Sequence, residues 1–157
     1  MSKPKILILE GADKVGKTSL YQAYRRATAY QPYVIDRFIG SNIVYDKLYG
    51  RETRSAEDYL EDEAELGGFD VFLAVLTAPH EIIEQRIRES EKGVDLKVAL
   101  ANFIEADRLF REYFEMSGFK KALIDTSEPI EKNLEQLLEL TGEERVPDPG
   151  RKKLEDA

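Results

Sequence analysis

Several residue types that carry common protein chemistry are rare or missing in this sequence of 157 residues. It contains no cysteine and a single histidine. The first absence excludes disulfides and thiolate metal sites. The second excludes histidine-cluster zinc chemistry and most Ser–His or Cys–His nucleophile systems. We therefore expect any bound metal ion to have oxygen ligands.

Long apolar runs and an excess of basic charge are also missing. No apolar run approaches the roughly 18 to 20 residues needed to cross a bilayer, and the apolar stretch in MSKPKILILE is too short for a secretory signal. We therefore expect a cytoplasmic protein with no membrane partner. The 23 basic residues are outnumbered by 31 acidic ones, for a net charge of −8. This charge argues against nucleic-acid binding through bulk electrostatics, although a local basic cleft is compatible with it.

What the sequence does contain fits one globular domain. Hydrophobic residues make up 42% of the chain, which is enough for one substantial core at this length. From about Glu143 the composition changes to charged residues, proline and glycine, in EERVPDPGRKKLEDA. We therefore predict a domain over residues 1–142 and a charged, flexible tail over residues 143–157.

Short apolar runs alternate with helical periodicity along this domain. Strands are predicted over residues 5–9, 33–35, 71–76 and 122–124, and helices over residues 17–28, 41–48, 55–66, 80–89, 96–116 and 130–140. Strands that alternate with helices of this length indicate right-handed crossovers and a parallel sheet. We therefore predict a three-layer α/β fold, with four or five parallel strands and helices on both faces.

A glycine-containing turn joins the first predicted strand to the first predicted helix. Its sequence GADKVGKT, residues 11–18, matches G-x-x-x-x-G-K-[ST], the phosphate-binding loop or P-loop. In such a loop, backbone N–H groups and the helix N-terminus surround a phosphate. Lys17 is expected to bridge the β- and γ-phosphates of ATP, and the Thr18 hydroxyl to bind Mg²⁺. The predicted ATP-binding residues of this segment are Gly11, Ala12, Asp13, Lys14, Val15, Gly16, Lys17, Thr18 and Ser19.

The rest of the chain narrows the class of P-loop protein. The guanine-reading tetrapeptide N-K-x-D is absent, and no D-x-x-G follows the second predicted strand. Asp36, Arg37 and Phe38 stand there instead. At the carboxyl end of a parallel strand they face the same crevice as the P-loop. Asp36 is then a candidate proton acceptor or ligand of a magnesium-bound water, and Arg37 a clamp on phosphate oxygens; a surface Asp–Arg ion pair is the alternative.

These segments resemble one group of P-loop kinases. LEGADKVGKTSL resembles the P-loop of thymidylate kinases and, more loosely, of deoxynucleoside kinases. VIDRFIGSNIVY resembles the thymidylate kinase pattern D-R-[YFH]-x-x-S-x-x-A-Y, with Val44 in place of the alanine. VLTAPHEIIEQRIRES is similar to the group's strand, Pro-Glu helix and lid, and ALIDTSEPIEKNLEQLLEL to its closing strand, adenine-side loop and last helix. The resemblance covers about residues 5–140 and implies a P-loop kinase that uses ATP and Mg²⁺ to phosphorylate a nucleoside or nucleotide.

The resemblance also implies roles for individual residues. Asp13 corresponds to an acid that contacts the acceptor sugar or activates its hydroxyl, and Lys14 to an arginine that supports the transferring phosphoryl group. Arg86 lies in the helix that resembles the base of the lid, where cations fold over the triphosphate. Thr126 begins the segment that resembles the adenine-side loop. The predicted catalytic residues are Lys17, Asp36, Arg37 and Asp13, and the predicted metal ligands are Thr18 and Asp36.

Other polar side chains have a plain structural interpretation beside the functional one. Arg88 lies near the predicted lid, but its i, i+4 spacing from Glu84 fits a surface helix pair equally well. Arg25 and Arg26 are candidates for an acceptor phosphate, yet helix arginines are usually solvated. His80 begins a predicted helix and is expected at the surface.

The chain departs from the thymidylate kinase group between the P-loop and Asp36. Residues 19–35 are too few for the strand and helices that hold the thymine in that group. We therefore predict that the acceptor wall comes from residues 38–54, with Phe38 and Tyr45 against the acceptor base and Ser41 as a hydrogen-bonding group. A second subunit in a homodimer is the alternative source of this wall, and for the two aromatic residues a core position is the alternative.

The shortened region leaves the acceptor open. A thymidylate kinase-like phosphotransferase acting on a nucleotide or nucleoside is the first prediction. A kinase for a hydroxyl of a modified base or sugar in DNA is the second. A nucleotide-dependent switch that transfers nothing belongs to a different class, and it requires a pair of switch segments that the sequence does not display.

Overall fold

The computed structural model describes residues 3–51 and 54–147. In this part of the chain, four strands and six helices follow one another in the predicted order. They are β1 (Lys5–Glu10), α1 (Lys17–Ala27), β2 (Tyr33–Asp36), α2 (Ile39–Leu48), α3 (Ala56–Ala64), β3 (Asp70–Thr77), α4 (His80–Ser90), α5 (Gly93–Met116), β4 (Lys120–Asp125) and α6 (Ile130–Thr141).

The four strands form one parallel sheet in the order β2-β1-β3-β4. In the two central strands, β1 and β3, nearly every residue is buried, as expected for strands covered on both faces. The chain moves from β1 to one side of the sheet to form β2, and β3 then pairs with the other side of β1. The crevice beyond the carboxyl ends of β1 and β3 is therefore a topological switch point, the usual ligand position in open α/β sheets.

Helices cover both faces of the sheet, so the prediction of a three-layer α/β fold is confirmed. On one face, α1, α4 and α6 pack on alternate residues of the central strands, through side chains such as Tyr24, Ile83 and Leu137. On the other face, α2, α3 and the second half of α5 form a separate core that contains Val44 and Phe110. Both cores are continuous with the central strands, which fixes the P-loop between them.

Two helices begin earlier than predicted. Helix α2 begins at Ile39 rather than Ser41, and α5 at Gly93 rather than Leu96. In both cases the first turn of the helix contains a glycine, Gly40 or Gly93, a residue type with low helix propensity. The predicted N-cap at Ser55 is present: its hydroxyl accepts a hydrogen bond from the Asp58 amide, and the Asp58 carboxylate accepts one from the Ser55 amide.

The residues that follow α6, up to Pro147, contact both β1 and the end of α1. Lys5 of β1 forms an ion pair with Glu143 at 2.9 Å, and the Val146 amide donates to the carbonyl of Ala27 at 2.7 Å. The predicted flexible tail therefore has five described residues, 143–147, and the other ten lie outside the described residues. The division into domain and tail stays a prediction. Within the described ranges, no helix combines the length and apolar character that a bilayer crossing requires.

Candidate active site

The P-loop connects β1 to α1 in the conformation that its glycines predict. Gly11 has φ +151°, and a Cβ there would lie 2.7 Å from the carbonyl oxygen of Leu76, so a larger residue has no room. Gly16 has φ +98° and caps α1. The Lys17 side chain is buried and its Nζ donates to the carbonyl of Gly11 at 3.2 Å, which folds the lysine back along the loop. The turn thus holds both the lysine and the start of the helix in one concave cradle.

The environment of Lys17 makes its proton easy to lose. Burial, helped by the positive charge of Arg37, lowers the pKa of Lys17 to about 8. The carboxylates of Asp36, Asp13 and Glu10 oppose this change but do not cancel it. A buried cation with such a pKa is stabilised by any anion placed beside it, so the cradle favours a phosphate next to this lysine.

A cleft of about 730 Å³ opens in front of the P-loop. The four predicted catalytic residues meet here, because Asp13, Lys17, Asp36 and Arg37 all line it. Thr18, Ser19, Lys14, Gly16 and Arg86 line it as well. Gly11, Ala12 and Val15 are buried and do not line this cleft, so their contribution is the shape of the loop. The grouping agrees with the predicted site, whose chemical roles stay a prediction.

Arg37 is the most connected side chain of the site. Its Nη2 donates to the Asp13 carboxylate at 2.6 Å, and its Nη1 to the Tyr45 hydroxyl at 3.2 Å and the Ser41 hydroxyl at 3.3 Å. Its backbone has φ +68°, a conformation that non-glycine residues rarely adopt and that tends to mark functional sites. Its ionic partner is therefore Asp13 of the P-loop and not the adjacent Asp36.

Glu10, which the sequence analysis did not select, is linked to Arg37 through the Ser41 hydroxyl. Its side chain is fully buried at the end of β1 and accepts hydrogen bonds from the amides of Phe38 and Ser41 and, at 2.7 Å, from the Ser41 hydroxyl. Burial raises the pKa of the Glu10 carboxyl above its usual range, while these hydrogen bonds and the charge of Arg37 act in the opposite direction. Glu10 thus fixes the start of α2 against the P-loop strand.

Arg86 joins the P-loop to the loop after β4. Its Nη1 donates to the carbonyl of Lys14 and to the hydroxyl of Thr126, and its Nη2 to the carbonyl of Thr126, at 3.2 to 3.3 Å. The segment that resembles an adenine-side loop is therefore tied to the phosphate cradle. Arg88 forms the surface pair with Glu84 at 3.1 Å, which agrees with its structural interpretation.

Arg25 and the histidine have protein partners. Arg25 lies over the rings of Tyr21 and Tyr30 on the outer part of α1. His80 bonds the buried carboxylate of Asp107 at 3.2 Å. It is about half exposed and lies outside the P-loop cleft.

A second cavity of about 320 Å³ adjoins the cleft. Its wall from α2 includes Tyr45 and Tyr49, whose rings stack with centroids 6.0 Å apart, and its wall from the P-loop includes Ala12 and Asp13. Asp13 lines both cavities. Of the predicted acceptor residues, Tyr45 therefore faces this cavity, whereas the buried Ser41 hydroxyl faces Glu10 and Arg37, and Phe38 lines neither cavity.

The opposite wall of this cavity comes from the first half of α5. Asp95, Val98, Ala99, Asn102 and Phe103 line it. They repeat at three and four residues, so they lie on one face of the helix. The side chain of Asn102 has no hydrogen-bond partner among the described residues and can donate and accept. The polar and small residues at this spacing, Asp95, Ala99 and Asn102, were the signal for a second, cavity-facing side of α5.

The donor set suits a hard cation. Thr18 and Asp36 offer oxygen atoms in the same cleft, and Mg²⁺ commonly takes one or two protein oxygens, substrate phosphates and waters. No group of three or more His, Cys, Asp or Glu residues suited to a metal occurs in residues 3–51 and 54–147. The residues present therefore fit a cation that arrives with a nucleotide rather than one held by the protein alone.

The fold matches solved structures that include several kinases. The YorR protein of Bacillus subtilis, in a complex with phosphorylated GDP, superposes with a TM-score of 0.68 at 18% identity, over 87% of this chain and 95% of that one. Deoxyadenosine kinase from M. mycoides with bound dCTP gives 0.57 at 11% identity, over 85% and 97%. Thymidylate kinase from Candida albicans gives 0.51 at 13% identity, over 89% and 92%.

The comparisons with protein-family models and with curated proteins found no match. At identities this low, the structural matches establish the fold. The chain has the fold of P-loop nucleotide and nucleoside kinases, and this confirms the fold implied by the resemblance of its motifs.

Proposed function

We propose that the protein is an ATP- and Mg²⁺-dependent phosphotransferase that acts on a nucleoside or nucleotide. The observation that carries the proposal is Asp13, which lines both the P-loop cleft and the adjoining cavity. A donor triphosphate in the first and an acceptor in the second would meet at this residue. The kinase fold supports the proposal, as do the neighbours whose names include deoxyadenosine kinase and thymidylate kinase.

In this proposal the P-loop amides and Lys17 bind the triphosphate, and Arg37 neutralises charge on the transferring phosphoryl group. Thr18 and Asp36 would hold Mg²⁺, which would shield the β- and γ-phosphate oxygens from the incoming hydroxyl. Arg86 would contact the phosphates from the lid side. Catalysis of phosphoryl transfer rests mainly on such positioning and charge neutralisation.

The acceptor side is built from α2 and α5. Tyr45 and Tyr49 would lie along the acceptor base, because aromatic faces favour stacked or edge contacts with other rings. Asn102 would hydrogen-bond its edge. Ser41, with its hydroxyl bonded to Glu10 and Arg37, would act on the acceptor through Arg37 rather than by contact.

Lys17→Ala tests the proposal directly. We expect ATP-dependent transfer to fall by a factor on the order of 10² to 10³, because the variant loses a preorganised cation at the transferring phosphate. The measurement follows labelled γ-phosphate from ATP into a panel of nucleosides, nucleoside 5′-monophosphates and hydroxymethylated DNA. Arg88→Ala, a surface variant outside both cavities, is the control and should keep normal transfer.

The same panel separates the alternatives. Labelling confined to the modified DNA would replace the proposal with the DNA kinase. Stoichiometric ATP binding without transfer to any acceptor would favour the nucleotide-dependent switch. Full transfer by Lys17→Ala would remove the P-loop from the mechanism altogether.

A further inference from the structure

The cavity beside Asp13 is lined by acids and not by bases. Asp13, Glu91 and Asp95 contribute carboxylates to it, and the described residues that line it include neither lysine nor arginine. At neutral pH its lining therefore carries a formal charge of one sign. This is unusual for a site that would hold a phosphate, for which proteins generally use arginine or lysine.

Two cations of the adjoining cleft already form ion pairs with these same acids. Arg37 donates to Asp13 at 2.6 Å, and Lys14 forms an ion pair with Glu91 at 3.1 Å. A phosphate at the boundary of the cavity would share a cation with one of these carboxylates. It would then lie close to that carboxylate, and the two negative charges would repel each other.

Asp95 adds a negative charge that no described residue neutralises through an ion pair. It lies in the first turn of α5, so it already supplies the negative charge that a helix N-terminus favours. This helix end is therefore complemented by the protein itself and offers less to an incoming anion.

The dimensions of the cavity point to a small acceptor. Its volume of about 320 Å³ lies at the small end of the range of roughly 300 to 1,000 Å³ that ligand pockets occupy. Its aromatic wall, Tyr45 and Tyr49, and the amide of Asn102 suit a planar ring with polar edges. A hydroxyl on such a molecule can donate a hydrogen bond to Asp13. Because the hydroxyl is uncharged, it does not compete for the ion pair between Arg37 and Asp13.

From the charge and size of this cavity, we propose that the acceptor is an uncharged hydroxyl compound of the nucleoside class, and neither a nucleoside monophosphate nor a DNA strand. The inference rests on the proposed phosphotransferase function. In the reaction, the acceptor oxygen forms a bond to the γ-phosphorus of ATP, the bond from that phosphorus to the β,γ-bridging oxygen breaks, and ADP leaves. The hydroxyl proton passes to Asp13, which lines both cavities, or to Asp36 of the P-loop cleft, and then to solvent.

The test compares each nucleoside with its own 5′-monophosphate and with a single-stranded oligonucleotide, using labelled ATP and Mg²⁺. We expect kcat/KM for the best nucleoside to exceed that for its monophosphate by at least about tenfold, as expected for one unfavourable charge contact in a partly enclosed site. A monophosphate or oligonucleotide used as well as the nucleoside would overturn the inference and leave the phosphotransferase proposal intact. No transfer to any of them would overturn the phosphotransferase proposal and the inference with it.

Asp95→Asn tests the role of charge. Removing this carboxylate should lower the preference for nucleoside over monophosphate by roughly fivefold, the effect of one unit charge at moderate distance and screening. The ratio of the two kcat/KM values is unaffected by the fraction of folded enzyme. Glu115→Gln, which removes an exposed acid near the other end of α5, is the matched control and should leave the ratio unchanged. A ratio that does not move in Asp95→Asn would contradict the argument from charge.

Discussion

At the scale of single residues, the site depends on charged groups that the fold keeps from water. Lys17 is almost completely buried beside Arg37, and Glu10 is fully buried two residues before Ala12 of the P-loop. Charges in such positions are costly unless they have partners. The partner of Glu10 is the start of α2, whereas the side chain of Lys17 has one hydrogen bond within residues 3–51 and 54–147, to the carbonyl of Gly11. An anion bound next to the Lys17 ammonium group would therefore stabilise its charged form.

The low pKa of Lys17 predicts how nucleotide affinity depends on pH. The free lysine has a pKa of about 8, and a bound triphosphate raises it because the phosphates stabilise the charged form. Affinity is therefore full below about pH 8 and falls as the pH rises above this value, by up to about tenfold per pH unit. Calorimetric titration with a non-hydrolysable ATP analogue, from about pH 6.5 to about pH 9.5, measures this fall.

Lys17→Arg is the control for this titration, because a guanidinium stays charged throughout the range. Its affinity should be lower but nearly independent of pH. If the native protein bound equally well across the range, the lysine would not titrate as its environment indicates.

Tyr45 lines the cavity that we propose as the acceptor site. Tyr45→Ala removes one ring of the stacked pair with Tyr49 and one hydrogen bond to Arg37. We expect the acceptor kcat/KM to fall by about tenfold or more, since aromatic contacts and a charge-assisted hydrogen bond are each worth about 1 kcal/mol or more. The Kd for ATP should change little. Tyr33→Ala, at an exposed tyrosine at the start of β2, should change neither value.

Steady-state kinetics with the acceptor and equilibrium binding of ATP give these two readouts for Tyr45→Ala separately. Equal losses in both, or a general loss of folding, would identify Tyr45 as a core residue instead.

At the scale of elements, α2 packs closely against Glu10 and Tyr113 because Gly40 has no side chain. A Cβ at Gly40 would lie 2.5 Å from Glu10 Oε2 and 2.7 Å from the ring of Tyr113. We predict that Gly40→Ala lowers the free energy of unfolding by about 2 kcal/mol or more, despite the better helix propensity of alanine, because overpacking here moves the helix from the buried carboxylate. Urea unfolding followed by circular dichroism measures the loss.

Gly68→Ala is the matched control for Gly40→Ala. A Cβ at Gly68 meets no atom within 4 Å, so its unfolding midpoint should stay close to that of the native protein. Equal stability of the two variants would mean that α2 can shift away from Glu10 without cost.

How far the sequence predicts these elements depends on whether a signal is local. The P-loop and the buried strand Asp70–Thr77 are evident because their pattern lies within a few residues. The roles of Glu10 and Asn102 were missed because they depend on a distant helix. Glu10 looks like an ordinary polar residue ending a strand until α2 covers it. The sequence predicts a helix over most of α5, but the side of its first half that faces the cavity is recognised only once Tyr45 of α2 lies opposite it.

At the scale of the whole molecule, the segment that follows α6 already contacts the beginning of the chain before residue 148. Lys5 contacts the end of α6 and Glu143, and the chain at Val146 bonds the end of α1. We predict that a protein truncated after Pro147 keeps its thermal midpoint and its transfer activity, because the described residues that line the two cavities lie between Ala12 and Ala106. Thermal unfolding and the labelled-phosphate assay measure the two. A large change in the midpoint or in activity would show that the tail belongs to the domain.

The strand order also determines when the centre of the sheet can form. Lys5 pairs with Asp70, so the innermost pair of strands joins the beginning of the chain to its middle, with three helices and the edge strand between them. Contacts between such distant residues close a long loop before they contribute stability, and they tend to form late in folding. About half of this chain must be synthesised before β1, the strand that precedes the P-loop, can pair with β3. Until then, the apolar residues Ile6 to Leu9 rely on local helices, or on other proteins in the cell, to keep them from aggregating.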